Sequence, residues 1–328
     1  MTVSDAGEEA LLLRILERAP HPPEGEVWAG DDAAALATPS TGRLLVTTDM
    51  LVEGVDFSLD HFSGGDIGWK CAAVNISDIA AMGGIASHVV VSLGLPGDAP
   101  QGLFEGILDG ILDMAASCGV ALIGGDLSSA AEVVISATAL GRARGRFVTR
   151  SGAREGDVLC VTGSLGGAAA GLGLLRGGIA GDDMLDNARR RQLRPSPRTE
   201  EGPLLAELGA TAMIDLSDGL ARDLARLARA SGVGCSIEAS ALPVDPAAAA
   251  ASSILKTDAT SLAVTGGEDY ELLVALPEDR LDDAVSEMEG RSGLSVLGAL
   301  TSDRAISIAG RAIESWEEEA WQHFRSQS

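Results

Sequence analysis

The segment Thr211–Ala230, TAMIDLSDGLARDLARLARA, carries a strong signal for the fold of this 328-residue chain. A short apolar run leads into Asp215 and predicts a strand, and the residues after the following glycine predict a helix. The apolar stripe of that helix has the spacing of one helical face: Leu220, Leu224 and Leu227. We expect Ser217 and Asp218 at the first positions of the helix, as its cap and as an acid facing its positive end. Asp215 is then a carboxylate that the helix does not need.

Strand and helix patterns alternate through the rest of the chain, which indicates an α/β or α+β protein with mixed sheets. The length favours two domains rather than one. The composition becomes basic and rich in glycine in RGRFVTRSGAREGD, so we place a boundary near residue 148. The predicted domains are residues 1–148 and residues 149–328. In the first of them, VALIGGD predicts a short buried strand that ends at Asp126.

The composition limits the classes of partner. The chain is 46% hydrophobic, enough for a large core, and its formal net charge of −24 disfavours a nucleic acid bound through its phosphates. No apolar run approaches the ~18 residues that span a bilayer. The acidic start MTVSDAGEEA does not resemble a secretory signal, so we expect a cytoplasmic protein with no membrane partner. The four cysteines are far apart and predict small buried residues rather than a zinc site or disulfides: Cys71, Cys118, Cys160 and Cys235.

Apolar runs that end in an acid beside Gly, Ser or Thr recur along the chain, in AGDDAAAL, LVTTDM, LIGGDLSS, MIDLSDG and TGGEDYEL. Ligands of α/β proteins bind at strand ends, and carboxylates with hydroxyls suit hard cations, above all magnesium. A single acid of this kind is better explained as a turn or helix cap. Their repetition on the same kind of corner favours an acidic metal cluster. The candidate residues are Asp31, Asp32, Thr47, Thr48, Asp49, Asp126, Asp215, Ser217, Asp218, Glu268 and Asp269.

Asp78 is a candidate on different grounds, because it lies in the helix predicted from Asp66 to Met82. It shares one face of that helix with apolar residues: Ile67, Cys71, Val74 and Met82. A carboxylate buried without a partner in such a stripe is costly, so we expect Asp78 to meet a cation or strong donors. The alternative is a buried face that is rotated away from Asp78 and leaves it in solvent.

Two features bear on phosphate binding. The Gly-rich turn in VTGSLGGAAAGL could offer backbone N–H groups to a phosphate, or it could serve close packing of a helix on a sheet. The arginines that follow residue 141 could neutralise a polyphosphate or remain on the surface: Arg142, Arg144, Arg146, Arg150 and Arg154. Neither lysine, Lys70 nor Lys256, follows a G-x-x-x-x-G loop, which excludes a P-loop enzyme. DLSDG lacks the first glycine of a nucleophile elbow, which disfavours a serine hydrolase.

The sequence resembles the thiamine-monophosphate kinase family, within a superfamily that includes aminoimidazole ribonucleotide synthetase, selenophosphate synthetase and the hydrogenase maturation dehydratase. The matching segments follow one order along nearly the whole chain: GDDAAAL, TTDMLVEGVDF, KCAAVNISDIAAMGG, LIGGD, TRSGAREGD, VTGSLGGAAAGL, RPSPR, IDLSDGL, GGEDYEL and WQHF. The resemblance implies transfer of the ATP γ-phosphoryl group to thiamine phosphate. It also implies a two-domain aminoimidazole ribonucleotide synthetase-like fold whose N-terminal domains pair in a homodimer.

The same resemblance implies roles for individual residues. Several magnesium ions would be held by Asp32, Thr47, Thr48, Asp49, Asp78, Asp126, Asp215 and Asp218. The nucleotide would contact Gly125, Asp126, Arg150 and Ser217. Thiamine phosphate would contact Asp56, Glu268 and Trp321. No general base is expected, because the attacking phosphate oxygen is already ionised near neutral pH, and direct in-line transfer assisted by metal ions is the expected mechanism.

The sequence departs from the family pattern at three places. Asp56 stands in EGVDF where many relatives carry a histidine, so a contact with the substrate there would have the opposite charge. Leu127 replaces a common threonine in GGDLSS, which removes one possible hydroxyl contact. WAGDD lacks the usual Ile-Gly before its acids. None of these changes removes a predicted metal carboxylate.

Other members of the superfamily are alternatives that match less well. The first 30 residues lack the Cys and Lys expected of a selenophosphate synthetase, and the sequence ends in RSQS rather than in the cysteine of the maturation dehydratase. MLVEGVDF lacks the lysine usual in aminoimidazole ribonucleotide synthetase. A non-catalytic metal-binding relative is a further alternative, and the retained carboxylates argue against it.

Overall fold

The computed structural model describes residues 25, 34–37, 42–143 and 145–320. Arg144 and three candidate site residues lie outside the described residues: Asp31, Asp32 and Trp321. The described chain forms two sheets with helices packed against them, which confirms the α/β class with mixed sheets. None of the described helices is long and apolar enough to cross a membrane.

The first half of the described chain builds a five-stranded sheet with two helices on its buried face. The strands are β1 (Ala34–Ala37), β2 (Arg43–Val52), β3 (Ile85–Leu95), β4 (Ala121–Ser129) and β5 (Val134–Ala143), and the helices are α1 (Gly64–Ala81) and α2 (Gln101–Ser117). The strand order is β1-β2-β5-β3-β4. β3 and β4 run parallel, and the other neighbours are antiparallel.

Helix α1 is well defined at its start and lies unusually close to α2. Ser63 caps it, because its hydroxyl accepts from the Asp66 N–H while the Asp66 carboxylate accepts from the Ser63 N–H, a capping box. A methyl group on Gly68 would lie 1.9 Å from a carbonyl oxygen of α2, and one on Gly110 would lie 2.1 Å from a carbonyl of α1. Glycine is therefore required at both positions for the two backbones to touch.

The second half builds a seven-stranded sheet in the order β12-β11-β8-β10-β6-β9-β7. Its strands are β6 (Val158–Thr162), β7 (Ala212–Asp215), β8 (Gly234–Ile237), β9 (Leu272–Leu276), β10 (Leu294–Thr301), β11 (Ile306–Ile308) and β12 (Arg311–Ala312). Its helices are α3 (Gly167–Arg176), α4 (Asp183–Leu193), α5 (Glu201–Glu207), α6 (Leu220–Ser231), α7 (Pro246–Leu255), α8 (Ala259–Thr265), α9 (Leu281–Met288) and α10 (Ile313–Glu317). The predicted boundary near residue 148 falls between β5 and β6, and as a domain limit it stays a prediction.

One local prediction is confirmed, for residues 211–230, and another is wrong in part, for the strand around Asp126. The strand and helix predicted in Thr211–Ala230 are present as β7 and α6. The strand predicted to be buried up to Asp126 is also present, as β4, but the expectation of burial is wrong. β4 is the edge of its sheet and, within the described residues, pairs with β3 alone. All of its residues except the half-buried Leu122 are exposed.

Helix α1 also joins the two halves of the chain. The Arg194 Nε donates to Asp66 Oδ1 at 2.6 Å, and the Trp69 indole N–H donates to the Pro195 carbonyl at 2.9 Å. Farther along the helix, the backbone around Ala80 lies against α5, where a methyl group on Gly202 would come within 2.1 Å of the Ala80 carbonyl. We call this set of contacts between α1 and the second half the seam.

Candidate active site

A cavity of ≈ 730 Å³ opens beside the seam. Its walls come from both halves of the chain: β2, the turn after it and α1 on one side, and the turn after β7 with the loop 266–270 on the other. Most of the predicted site residues within the described chain line it: Thr47, Thr48, Asp49, Asp56, Asp78, Arg150, Asp215, Ser217, Asp218 and Glu268.

The wall from the first half carries two of the predicted metal carboxylates. Asp49 is exposed on β2, and its backbone N–H donates to the side chain of Asn75 on α1 at 3.0 Å. Asp78 is half-buried and accepts from the Thr47 hydroxyl at 2.5 Å. The hydroxyl of Thr48 does not join this pair, because it donates to the carbonyl of Ala137 on β5 at 2.8 Å.

The expectation for Asp78 follows the periodicity of α1. The four apolar residues that share its face are all buried: Ile67, Cys71, Val74 and Met82. Asp78 and, one turn before it, Val74 line the cavity. Asp78 therefore has a hydroxyl donor and faces the cavity, as expected for a half-buried carboxylate that needs a polar partner.

The second half contributes the end of β7 and the turn that follows it, residues 215–219, to the cavity wall. Asp215 is only 2% exposed and accepts from the Ser77 hydroxyl of α1 at 2.5 Å, across the seam. The loop 266–270 is fastened to this turn by backbone hydrogen bonds from the Glu268 N–H to the Ser217 carbonyl and from the Tyr270 N–H to the Leu216 carbonyl. Strand end and loop therefore form one unit.

Negative charge converges on the middle of the cavity. Burial raises the pKa of the Tyr270 phenol well above its ordinary value, and four carboxylates from both halves raise it further: Glu268, Asp49, Asp215 and Asp78. Their joint effect on one buried ring shows that these acids act on the same region. Like charges at such a place call for a cation.

Asp218 lies in a different setting. It forms an ion pair with Arg226 at 2.5 Å and lies 3.7 Å from Arg222. Burial, and then the neighbouring Asp218, raise the pKa of the Asp223 carboxyl to about 7. Two arginines thus balance the charge of Asp218.

The expected cap of α6 is wrong. The helix begins at Leu220 with Gly219 as its N-cap, and no side chain caps it. Asp223 in the first turn instead accepts from the Asp218 N–H at 2.9 Å. Gly219 has a φ of 99°, which glycine adopts readily and a Ser or Asp cap residue does not. Ser217 is thereby free to line the cavity.

Two N–H groups of the Gly-rich turn before α3 are taken up within the protein. The buried Asp269 accepts from the Gly166 N–H at 2.6 Å and from the Ala168 N–H at 3.2 Å. Burial raises the pKa of this carboxyl to about 7, against the effect of those two hydrogen bonds. The turn therefore helps to anchor the loop 266–270, and phosphate binding and close packing both stay predictions for it.

Sequence reasoning missed a buried ion network behind the same loop. Glu271, 0% exposed, accepts from the Thr162 hydroxyl at 2.7 Å and from both Arg198 and Arg191. Arg191 also pairs with Asp245 at 3.0 Å. The signal was present as an acid at an apolar strand, in GGEDYEL, together with Arg198 of RPSPR. Periodicity gives no means of pairing charges that lie about 70 residues apart in the chain, such as Arg198 and Glu271.

Asp56 and Asp126 lie apart from the central carboxylates. Asp56 lines the cavity, but one of its oxygens accepts from the Val52 N–H at 2.8 Å within its own turn. Asp126 is exposed on β4 beside Gly125, outside the cavity. Two strands, β3 and β5, lie between Asp126 and β2 in the sheet. At ~4.8 Å per strand spacing, Asp126 is therefore about 14 Å from β2.

The donor set of the cavity fits magnesium. Among the described residues, no three His, Cys, Asp or Glu side chains lie close enough together to hold one metal ion. Magnesium is commonly held by one or two carboxylates and completes its shell with water and substrate phosphates. Asp49, Asp78 and Asp215, which all raise the pKa of Tyr270, match that pattern better than the closed cage of a structural metal.

Comparisons with known proteins agree with this architecture. Residues 30–143 match the family model "AIR synthase related protein, N-terminal domain", and residues 154–310 match "AIR synthase related protein, C-terminal domain". The thiamine-monophosphate kinase of Mycobacterium tuberculosis (strain ATCC 25618 / H37Rv) is 42% identical over 274 residues, which cover 83% of this chain and 81% of that one.

Two solved structures superpose over nearly the full length. A structure of AaThiL complexed with AMPPCP and TMP has a TM-score of 0.87 at 29% identity, covering 98% of this chain and 99% of that one. A thiamine monophosphate kinase from Aquifex aeolicus has a TM-score of 0.82 at 29% identity, covering 95% and 99%. The chain is thus similar to these proteins in sequence and in overall fold.

Proposed function

The chain belongs to the thiamine-monophosphate kinase family of AIR synthase related proteins, and from this premise we propose that it transfers the γ-phosphoryl group of ATP to thiamine phosphate. The products are thiamine diphosphate and ADP. The observation that carries the proposal is the convergence of Asp49 and Asp78 from one half with Asp215 from the other beside a single large cavity. The AaThiL structure, which holds AMPPCP and TMP together, supports a cavity for two phosphorylated ligands.

Magnesium is part of this proposal. When bound, it neutralises the phosphates of both substrates and the charge that develops during transfer. Asp49, Asp78 and Asp215 are the carboxylates that would hold it, and the Thr47 hydroxyl keeps Asp78 oriented. Asp32 is a further candidate outside the described residues. Asp218 is a weaker candidate than these, because Arg226 already balances its charge.

The chain's own residues bind and orient the reactants. In the proposed in-line step, a terminal phosphate oxygen of thiamine phosphate attacks the γ-phosphorus, and the bond to the β-phosphate oxygen breaks to release ADP. The attacking oxygen is ionised near neutral pH, so no side chain has to remove a proton. We assign the nucleotide contacts to Arg150 and Ser217 and the thiamine phosphate contacts to Asp56 and Glu268, and all four residues line the cavity.

A homodimer is also part of the proposal. β4 is an exposed edge strand with exposed apolar side chains, Ile123 at 56% and Leu127 at 61%. Such an edge normally pairs with another chain or is shielded by charge. A second copy bound along this edge would cover those side chains. Within one chain, Asp126 and Gly125 lie about 14 Å from β2 at ~4.8 Å per strand spacing. In the dimer, they would contribute to a site shared between the two copies.

The decisive experiment is an assay of ADP and thiamine diphosphate formation with ATP and magnesium. Thiamine phosphate, thiamine and the aminoimidazole precursor formylglycinamidine ribonucleotide serve as parallel substrates. We expect turnover with thiamine phosphate and its loss on chelation of magnesium. Turnover with the aminoimidazole precursor alone, or none with any substrate, would overturn the proposal. A phosphoenzyme isolated from a single turnover would overturn the in-line step.

A further inference from the structure

Lys70 lies beside the cavity and has no part in the transfer proposed above. It belongs to α1, is 0% exposed, and its Nζ lies 2.5 Å from Glu268 Oε1. The same ammonium group lies 3.4 Å from the Asp56 carbonyl and 5.2 Å from the centre of the Phe62 ring. Because Lys70 is fully buried, it cannot contact a ligand in the cavity itself. Its effect on a ligand has to pass through the groups that it holds.

Glu268 is the group that Lys70 holds across the seam. Its second carboxylate oxygen accepts from the Gln192 side chain, so each oxygen has a fixed donor. Its side chain is nevertheless 27% exposed and lines the cavity. The backbone at Glu268 has a φ of 69° and that at Tyr270 has a φ of 50°, left-handed conformations that are unfavourable for residues other than glycine. The loop therefore needs outside contacts to keep this shape.

The choice of lysine at position 70 fits the arrangement of its partners. An ammonium group directs three N–H donors away from one point, and here a carboxylate, a carbonyl and an aromatic face surround it. A planar guanidinium is longer and directs its donors in one plane. Arginine at this buried place would therefore displace Glu268 or Phe62 rather than reproduce the contacts.

We propose that Lys70 is a positioning residue that holds the Glu268 carboxylate, from across the seam, where it receives the cationic organic part of thiamine phosphate. The thiazolium ring of that substrate carries a positive charge, and a carboxylate fixed in a partly enclosed cavity attracts it. The inference rests on the proposed function, because it names the part of that substrate which Glu268 meets. Lys70 serves the binding of thiamine phosphate and leaves the binding of ATP to other residues.

The first test compares Lys70→Met with Trp69→Phe. Trp69→Phe is the matched control, since it removes a hydrogen bond of the same seam, to Pro195, without touching Glu268. We expect Lys70→Met to raise the KM for thiamine phosphate about tenfold, as for loss of an oriented charged contact. The KM for ATP should stay within about twofold in both variants, as should every constant of Trp69→Phe. Thermal unfolding reports whether each variant is folded.

A second test asks whether Lys70 acts through Glu268. The double variant Lys70→Met/Glu268→Gln contains no buried unpaired charge, so it is informative even where Glu268→Gln alone fails to fold. If Lys70 acts through Glu268, the double variant has a KM for thiamine phosphate within about twofold of Lys70→Met, because coupled residues are not additive. Lys70→Arg should resemble Lys70→Met rather than the wild type.

The outcomes separate this inference from the proposed function. Wild-type turnover of thiamine phosphate with an unchanged KM in Lys70→Met would overturn the role of Lys70 alone. An equal rise in the KM for ATP, or a further tenfold rise in the double variant, would do the same, since the effect would then not pass through Glu268. Absence of turnover in the wild type would overturn the proposed function and this inference together.

Discussion

The two sheets of this protein differ in what covers them. In the second sheet, every residue of β6, β7 and β9 is buried, so both faces of those strands are covered. In the first sheet, β3 and β5 alternate between buried and less buried residues, and the edge strand β4 is exposed along nearly its whole length. Three strands of the second sheet are thus covered on both faces, whereas the described residues leave the β4 edge of the first sheet uncovered.

The acidic residues of the cavity follow the same division. Asp49 and Asp78, from the first half, are exposed or half-buried, and Asp78 accepts from the Thr47 hydroxyl. In the second half, Asp215 is buried against Ser77 and Glu271 is buried against its arginines, while Asp218 and Glu268 are part-buried. Asp49 and Asp78 are therefore more open to the cavity than the buried acids of the second half.

We expect the largest effect from Asp49→Asn or Asp78→Asn, each of which removes a cavity carboxylate of the first half. Because these carboxylates are open to the cavity and contribute little to packing, we expect kcat to fall at least about a hundredfold, as for loss of a group that stabilises transition-state charge. The melting temperature should hardly change. ADP release and a thermal scan on the same samples measure both quantities. A stable variant with wild-type turnover would contradict the assignment of either acid.

Glu271→Gln should behave in the opposite way. Removing its charge leaves Arg198 and Arg191 facing a neutral group at a buried place, and we expect a loss of about 3 kcal/mol in the free energy of unfolding. Denaturant unfolding measures this loss. Asp283→Asn, an exposed acid on α9, is the control and should change stability by less than about 0.5 kcal/mol. Equal stability of the two variants would show that the network is not part of what holds the wall.

Leu127→Lys tests the uncovered edge of the first sheet. A lysine on an exposed edge strand opposes pairing with another chain, so we expect the variant to be monomeric where the wild type is dimeric. Val296→Lys is the matched control, since Val296 is an exposed apolar residue, 44% exposed, on β10 of the second sheet. Light scattering after size-exclusion chromatography gives both masses. A wild-type mass in Leu127→Lys would exclude β4 as the contact.

The smallest expected effect concerns pH and Asp269. Burial raises the pKa of Asp269 to about 7 in the folded protein, so the folded state holds the proton more tightly than the unfolded state does. Its contribution to stability is therefore greatest below the pKa of an ordinary carboxyl and is lost as the pH rises toward 7. Compared with Asp269→Asn, the wild type should lose stability between about pH 4 and pH 7. Parallel curves over this window would contradict the shift.

The sequence predicts the parts of the molecule that depend on local pattern. Helix α1 and the face that carries Asp78 follow from periodicity, and β7 with α6 follows from one segment. The same reasoning fails where the answer depends on distant residues. The exposure of β4 is a property of its place in the strand order, and the cap of α6 depends on Asp223 reaching back to the Asp218 N–H.

Local pattern likewise identifies some residues of the candidate site and not others. The acids at strand ends were identifiable because carboxylates beside apolar runs are unusual, and most of them line one cavity. Lys70 was noticed only as a lysine that fits no P-loop, since nothing in its neighbourhood indicates a partner 198 positions later. Resemblance to a family supplied the roles of Arg150 and Ser217, which have no distinctive local pattern.

Helix α1 has a geometric consequence beyond the joining of the two halves. It carries Lys70, which fixes Glu268, and Asp78, which faces the middle of the cavity, eight positions apart. At a rise of ~1.5 Å per residue, these positions lie about 12 Å apart along the helix axis. In the proposed function, the helix sets the spacing between Glu268, proposed to bind thiamine phosphate, and Asp78, proposed to hold magnesium. A single residue inserted between Lys70 and Asp78 would rotate one by about 100° relative to the other, so the length of this segment is as much a part of the site as its side chains.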